Sequence, residues 1–168
     1  NALAAFAACH AVGVDVAEII PSLAHFVSVK RRMEIIGTAR GITVYDDFAH
    51  HPTAIQTTLE GLRAKVDKAR ILVAMEARSN SMRLGAHSLQ IAPSLNTADA
   101  VVFLQRPELP WDAEAVLSAL KGEGRKVATV DALIETLRTS ARDGDHIVFM
   151  SNGGFEDAPR RCLAALQQ

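Results

Sequence analysis

The chain has 168 residues, 49% hydrophobic and 22% charged, with a formal net charge of -1. That is enough apolar content for one core-forming domain with a small appendage, and the near-neutral balance excludes a general attraction to nucleic acid or to an anionic membrane surface. No apolar run approaches the roughly 20 residues that cross a bilayer, the start has no signal-peptide pattern, and Cys9 and Cys162 read as two small buried residues in a reducing cytoplasm rather than a disulfide framework.

The first residues open without Met on the helix-forming run Ala2-Leu3-Ala4-Ala5-Phe6-Ala7-Ala8-Cys9, so the chain is expected to be a piece of a longer protein. Asp15 is placed to cap a second helix with an apolar stripe of Val16, Ile19, Ile20 and Leu23. Two helices without a strand do not make a domain. This segment is expected to be the tail of a preceding domain, with Val27 to Arg31 as linker, so the chain divides into residues 1–28 and 29–168.

After the linker the period changes. Met33 to Ala39 and Ile42 to Asp46 read as a β-hairpin around Gly41. The spacing then predicts helix 52–66, strand 70–75, helix 84–95, strand 100–104, helix 112–120, strand 126–130, helix 131–140, strand 146–150 and a last helix ending near Leu166. Asp112 and Asp131 are read as caps, and Gly122, Gly124 and Gly144 as breaks. This alternation predicts an α/β fold, a Rossmann-like and mostly parallel sheet with helices on both faces, led by the hairpin.

In such a sheet the loops at the carboxyl ends of the strands bind ligands. Those loops are Asp46 to His51, Glu76 to Leu84, Gln105 to Pro110 and Ser151 to Phe155. The first crowds Asp46, Asp47, His50 and His51 between a strand and Pro52, which is suited to the first turn of a helix. Its carboxylates could hold ribose hydroxyls or a magnesium shell, although a solvated turn or a helix cap is the plain alternative for one of them. Arg78 and Arg83 could clamp a carboxylate or phosphate, and Ser151-Asn152-Gly153-Gly154 could present backbone N–H groups or be merely a tight turn. Trp111 reads as a hydrophobic anchor. Lys30-Arg31-Arg32 is too short for a nucleic-acid patch; an arginine reaching a phosphate across a domain junction is the functional alternative to a solvated linker. His10, His25, His87 and His146 are scattered with no cysteine nearby, so no metal site is expected. There is no G-x-x-x-x-G-K-[ST] phosphate loop, so a triphosphate cradle would have to come from elsewhere.

Val29-Lys30-Arg31-Arg32-Met33-Glu34 followed by Tyr45-Asp46-Asp47-Phe48-Ala49-His50-His51-Pro52 resembles the junction and first loop of the C-terminal domain of Mur ligases, ATP-dependent enzymes that join amino acids to UDP-MurNAc. Glu76-Ala77-Arg78-Ser79-Asn80-Ser81-Met82-Arg83-Leu84-Gly85 and Met150-Ser151-Asn152-Gly153-Gly154-Phe155 are similar to the recycling branch of that family, which attaches the tripeptide L-alanyl-γ-D-glutamyl-meso-diaminopimelate to UDP-N-acetylmuramate. The alanine-adding branch usually carries Tyr-Gly before the His pair and His-Arg-Tyr in the second loop, where this chain has Phe48-Ala49 and Ala77-Arg78-Ser79.

The resemblance implies ATP and Mg2+ bound mainly by a central domain, with UDP-N-acetylmuramate, the murein tripeptide and the N-terminal and central domains as partners. It implies that Arg32 reaches ATP phosphates and that Asp47, with Asp46 beside it, meets the nucleotide ribose. His50, with His51 beside it, and Arg78 would lie near the incoming peptide and neutralise its carboxylate; Asn80, Ser81 and Arg83 would be extra contacts for the longer tripeptide. The family usually places another Gly after Ser-Asn-Gly-Gly-Phe, where this chain has Glu156, which argues against a phosphate role for that loop. The implied reaction activates the muramyl carboxylate as an acyl phosphate, which the peptide amine attacks. This domain would supply positioning and charge neutralisation, and alone would be inactive. The alternatives are the alanine-adding ligase and a non-catalytic nucleotide- or partner-binding module.

Overall fold

A computed structural model describes residues 2–26, 29–78, 84 and 88–168. The chain forms two compact units, one ending at Lys30 and the other running from Arg31 to Gln168. In the first, α1 (Ala2–Ala11) buries none of its residues, and α2 (Val16–Ala24) buries Ile19. Asp15 caps α2 as expected, its carboxylate accepting from the Ala17 backbone N–H at 2.7 Å. Cys9 lies exposed on α1 and corrects the expectation of burial, whereas Cys162 is buried in the second unit and its thiol is pushed up to about 12 by desolvation.

The second unit is a six-stranded sheet in the order β1-β2-β6-β3-β4-β5. The hairpin β1 (Glu34–Ala39) and β2 (Ile42–Asp47) is antiparallel, and every other pairing is parallel. Arg40 and Gly41, with φ of 51° and 71°, make the two-residue turn that the twist of a hairpin favours. The helix α3 (Pro52–Val66) leads to β3 (Ile71–Glu76), which is buried along its whole length, as its unbroken apolar run requires of a central parallel strand. Next come α4 (Ser88–Ser94), β4 (Ala100–Leu104), α5 (Glu114–Leu117), β5 (Glu123–Val127), α6 (Val130–Ser140), β6 (His146–Met150) and α7 (Ala158–Leu166).

Successive residues of β3 divide between two cores. Ile71, Val73 and Met75 pack with Ile55, Leu59, Ile91 and Val116 of α3, α4 and α5 and with Leu95 just after α4. Leu72 and Ala74 pack on the other face with Leu133 and Leu137 of α6 and Cys162 and Leu166 of α7. The chain therefore leaves β3 toward one face and β6 toward the other. Because β3 and β6 are neighbours, this divergence opens a crevice at their carboxyl ends, the position where open α/β sheets bind ligands.

Three expectations are corrected. The strand expected at 126–130 lies at Glu123–Val127, because this exposed edge strand has no apolar alternation to mark it and tolerates Gly124 within it. The following helix starts at Val130 with Thr129 as its cap, the hydroxyl accepting from the Ala132 N–H at 3.2 Å, so Asp131 is not the cap. The helix expected at 112–120 is only Glu114–Leu117; beyond it Ala119 and Leu120 donate to the carbonyls three residues back, and the tightened turn brings Gly122 against the backbone of Asp99 at the start of β5. Residues 85–87 of the expected helix 84–95 lie outside the described residues; Ser88–Ser94 is helical.

Candidate functional site: the rim at the carboxyl ends of β2, β6, β3 and β4

Asp47 ends β2, is 3% exposed, and has both carboxylate oxygens committed. Oδ1 accepts the Ala49 backbone N–H and Oδ2 that of Met33, each at 2.7 Å. The loop is thus folded around its own carboxylate and tied to the entry of β1. Asp46 faces Arg31, whose Nε lies 3.1 Å from Oδ2, while Nη2 of the same guanidinium donates to the Ser151 carbonyl at 2.6 Å. Burial raises the Asp46 pKa above the usual carboxylate value; Arg31 opposes the shift, and Glu34 and Asp47 add to it.

The Phe48 ring gathers cations: the guanidinium carbons of Arg31 and Arg32 lie 5.3 and 5.8 Å from its centroid. His50 meets that ring edge-on at 5.3 Å, and its Nδ1 is 2.8 Å from the Phe48 carbonyl. A carbonyl only accepts, so Nδ1 carries the proton, and in the neutral ring Nε2 is the acceptor. His51 is the exposed N-cap residue of α3, and its side chain makes no capping hydrogen bond.

Glu76 ends β3 with its side chain fully buried, and it ties three strand ends together. Its Oε1 receives Nε and Nη2 of Arg106, from the loop after β4, at 3.0 and 2.9 Å. Its Oε2 accepts the Ser151 hydroxyl, at the end of β6, at 2.8 Å. Nη1 of Arg78 lies 4.0 Å away from Oε1. Arg106 also pairs with Glu156 at 2.6 Å; burial works against its charge, but the hydrogen bonds it donates to Glu156 and Glu76 outweigh it and raise its pKa. Arg78 runs beside the Gly153 backbone, where an added Cβ would stand 2.5 Å from its Cδ. A cleft of about 360 Å³ opens here, lined by Ala77, Arg78, Arg106, Glu108, Leu109 and Glu156.

Asp46, Asp47 and His50 at the end of β2 and Arg78 at the end of β3 thus flank the end of β6 and are linked through its Ser151, whose N–H donates to the Asp47 carbonyl, whose carbonyl accepts from Arg31 and whose hydroxyl donates to Glu76. Arg32 is exposed beside Phe48. Asn80, Ser81 and Arg83 lie outside the described residues. Sequence reasoning missed Arg31, Glu76 and Arg106 as the ties of the rim. A carboxylate ending the strand Ile71 to Glu76 was the available signal, since burial on both faces demands a partner there. The acidic pair fits a metal shell poorly, with Asp47 taken by backbone N–H groups and Asp46 by Arg31, and among the described residues no group of three metal-ligating side chains comes together. Glu156 has φ 52°, the left-handed region, so the position suits the Gly of the family pattern.

Residues 31–153 match the family described as Mur ligase, glutamate ligase domain. The chain is 44% identical over 99% of its length to the UDP-N-acetylmuramate–L-alanyl-γ-D-glutamyl-meso-2,6-diaminoheptandioate ligase of Escherichia coli K12, of which it spans 36%. It is 36% identical, over all of its length, to 38% of the UDP-N-acetylmuramate–L-alanine ligase of Streptomyces coelicolor. The crystal structure of a murein peptide ligase from Psychrobacter arcticus superposes with a TM-score of 0.77 and 40% identity, covering 99% of this chain and 36% of that one. With the family match covering most of the parallel sheet and its rim, the chain belongs to the Mur ligase family.

Proposed function

We propose that this chain is the C-terminal domain of an ATP-dependent ligase that joins L-alanyl-γ-D-glutamyl-meso-diaminopimelate to UDP-N-acetylmuramate in the cytoplasm, with residues 1–28 belonging to the preceding domain. The observation that carries this reading is the 44% identity across 99% of the chain to a ligase named for that reaction, against 36% to the alanine ligase. The cleft supports it: a tripeptide with several carboxylates needs cations beyond those that a single amino acid needs, and Arg78 and Arg106 line one wall.

In this reading Arg32 contacts the nucleotide phosphates from its exposed place beside Phe48. ATP supplies the activation of the muramyl carboxylate; Mg2+ is assigned to the remainder of the enzyme, because the acidic loop is already satisfied. Asp47 acts by holding the loop that presents His50, and Asp46 by holding Arg31. Arg78 neutralises a peptide carboxylate and so orients the attacking amine, with His51, Asn80, Ser81 and Arg83 as neighbouring contacts. The 168-residue chain alone is inactive.

The test is ADP release by the full-length protein supplied with UDP-N-acetylmuramate and either tripeptide or L-alanine. Release with tripeptide and not with L-alanine supports the proposal. The reverse pattern establishes the alanine ligase instead, and release with neither leaves the binding-module reading.

A further inference from the structure

The turn leaving β6 has an unfavourable backbone. Phe155, Glu156 and Asp157 have φ of 50°, 52° and 55°, three successive side-chain-bearing residues in the left-handed region. The Glu156 side chain pairs with two arginines, with Oε1 2.6 Å from Arg106 Nη2 and Oε2 3.9 Å from Arg161 Nη1. The same Arg106 nitrogen lies 2.9 Å from the Oε1 of Glu76.

Arg106 therefore faces two carboxylates of different character. Glu76 is fully buried, fixed on a central strand and bonded to the Ser151 hydroxyl. Glu156 has a side chain 52% exposed, lines the cleft, and rides on a strained turn. One carboxylate belongs to the framework, and the other is exchangeable.

We propose that Glu156 is a built-in stand-in for a ligand carboxylate, occupying the cleft-facing side of Arg106 until a carboxylate of an entering peptide displaces it. This rests on the peptide-binding reading of the cleft. The exchange is neutral in charge, because one carboxylate leaves Arg106 as another arrives, and the buried Glu76–Arg106 pair is kept throughout. A tethered competitor has the advantage of high effective concentration, so a lone carboxylate displaces it poorly. A ligand with two carboxylates, reaching Arg106 and Arg78 together, competes well, which makes polycarboxylate peptides the favoured class.

Calorimetric titration of the full-length protein with the tripeptide, glutarate and acetate tests this in wild type and Glu156→Gln. The pair is partly exposed, so the expected gain is modest: glutarate and tripeptide bind Glu156→Gln about 2- to 5-fold tighter. Acetate gains less. Unchanged or weaker glutarate binding in Glu156→Gln overturns the proposal. Glu156→Gly, which accepts the left-handed backbone, repeats the measurement if the Gln variant fails to fold. A glutarate gain with no tripeptide binding to either protein upholds the stand-in and contradicts the substrate reading alone.

Discussion

Glu76 is a carboxylate buried where water cannot solvate it, its oxygens bonded instead by a guanidinium and a hydroxyl from two other loops. Removing one member of a fully buried pair costs about 3–5 kcal/mol, but Arg106 is partly exposed and keeps Glu156, so Glu76→Ala is expected to lose about 2–3 kcal/mol in urea unfolding. A loss under about 0.5 kcal/mol, the usual size of a surface change, would contradict the structural role. At the other end of the sheet, His146 Nδ1 lies 3.0 Å from the Tyr45 hydroxyl. Its pKa is lowered chiefly by burial, with Lys65 and Arg63 contributing and Asp145 opposing. Between its folded value and the ordinary 6.5, the unfolded chain binds more protons. The contribution of His146 to stability is therefore present above that window and lost as pH falls through it. Unfolding followed at pH 7.5 and 5.5 checks this: His146→Gln should narrow the difference between the two, and an unchanged difference would assign it to other groups.

Among the elements, the turn after β6 couples backbone to site. Gly153→Ala places a Cβ against the Arg78 side chain, which can swing away, so the expected stability change is under about 1 kcal/mol while KM for the peptide rises several-fold. A large loss of stability with unchanged KM would instead show that Gly153 serves folding alone. The same level of organisation shows what the sequence could reveal. The helix α3 was legible to the residue because Pro52 marks its start and an apolar stripe of Ile55, Leu59 and Leu62 runs through it. Strands β4 and β6 were legible as short apolar runs between turn residues. Strand β5 was not, because an exposed edge strand reading Glu-Gly-Arg-Lys-Val carries no burial pattern, and its backbone pairing with β4 defines it instead. The rim was half legible for a related reason. Asp46, Asp47 and His50 are adjacent in sequence and betray themselves by crowding, whereas Glu76 meets partners 30 and 75 residues away that only the sheet order brings together. Arg31 and Arg32 could not be told apart by composition; hydrogen bonds make Arg31 the tie to Asp46 and Ser151.

Across the whole second unit, the sheet order is what makes one site of separate loops. Because β6 inserts between β2 and β3, Ser151 touches both the acidic loop and the Glu76 network, and the rim is continuous from Phe48 to the cleft. The division of labour proposed for the enzyme follows: this lobe contributes cations and fixed loops, and the remainder of a chain whose relatives are nearly three times as long contributes the phosphate chemistry. Steady-state kinetics of the full-length protein with Arg78→Met tests that claim most directly. The account predicts a KM for the tripeptide raised about 10-fold or more, the loss of one charge-assisted contact, with KM for ATP and UDP-N-acetylmuramate within about 2-fold of wild type. An unchanged tripeptide KM, or an equal rise for all substrates, would contradict it.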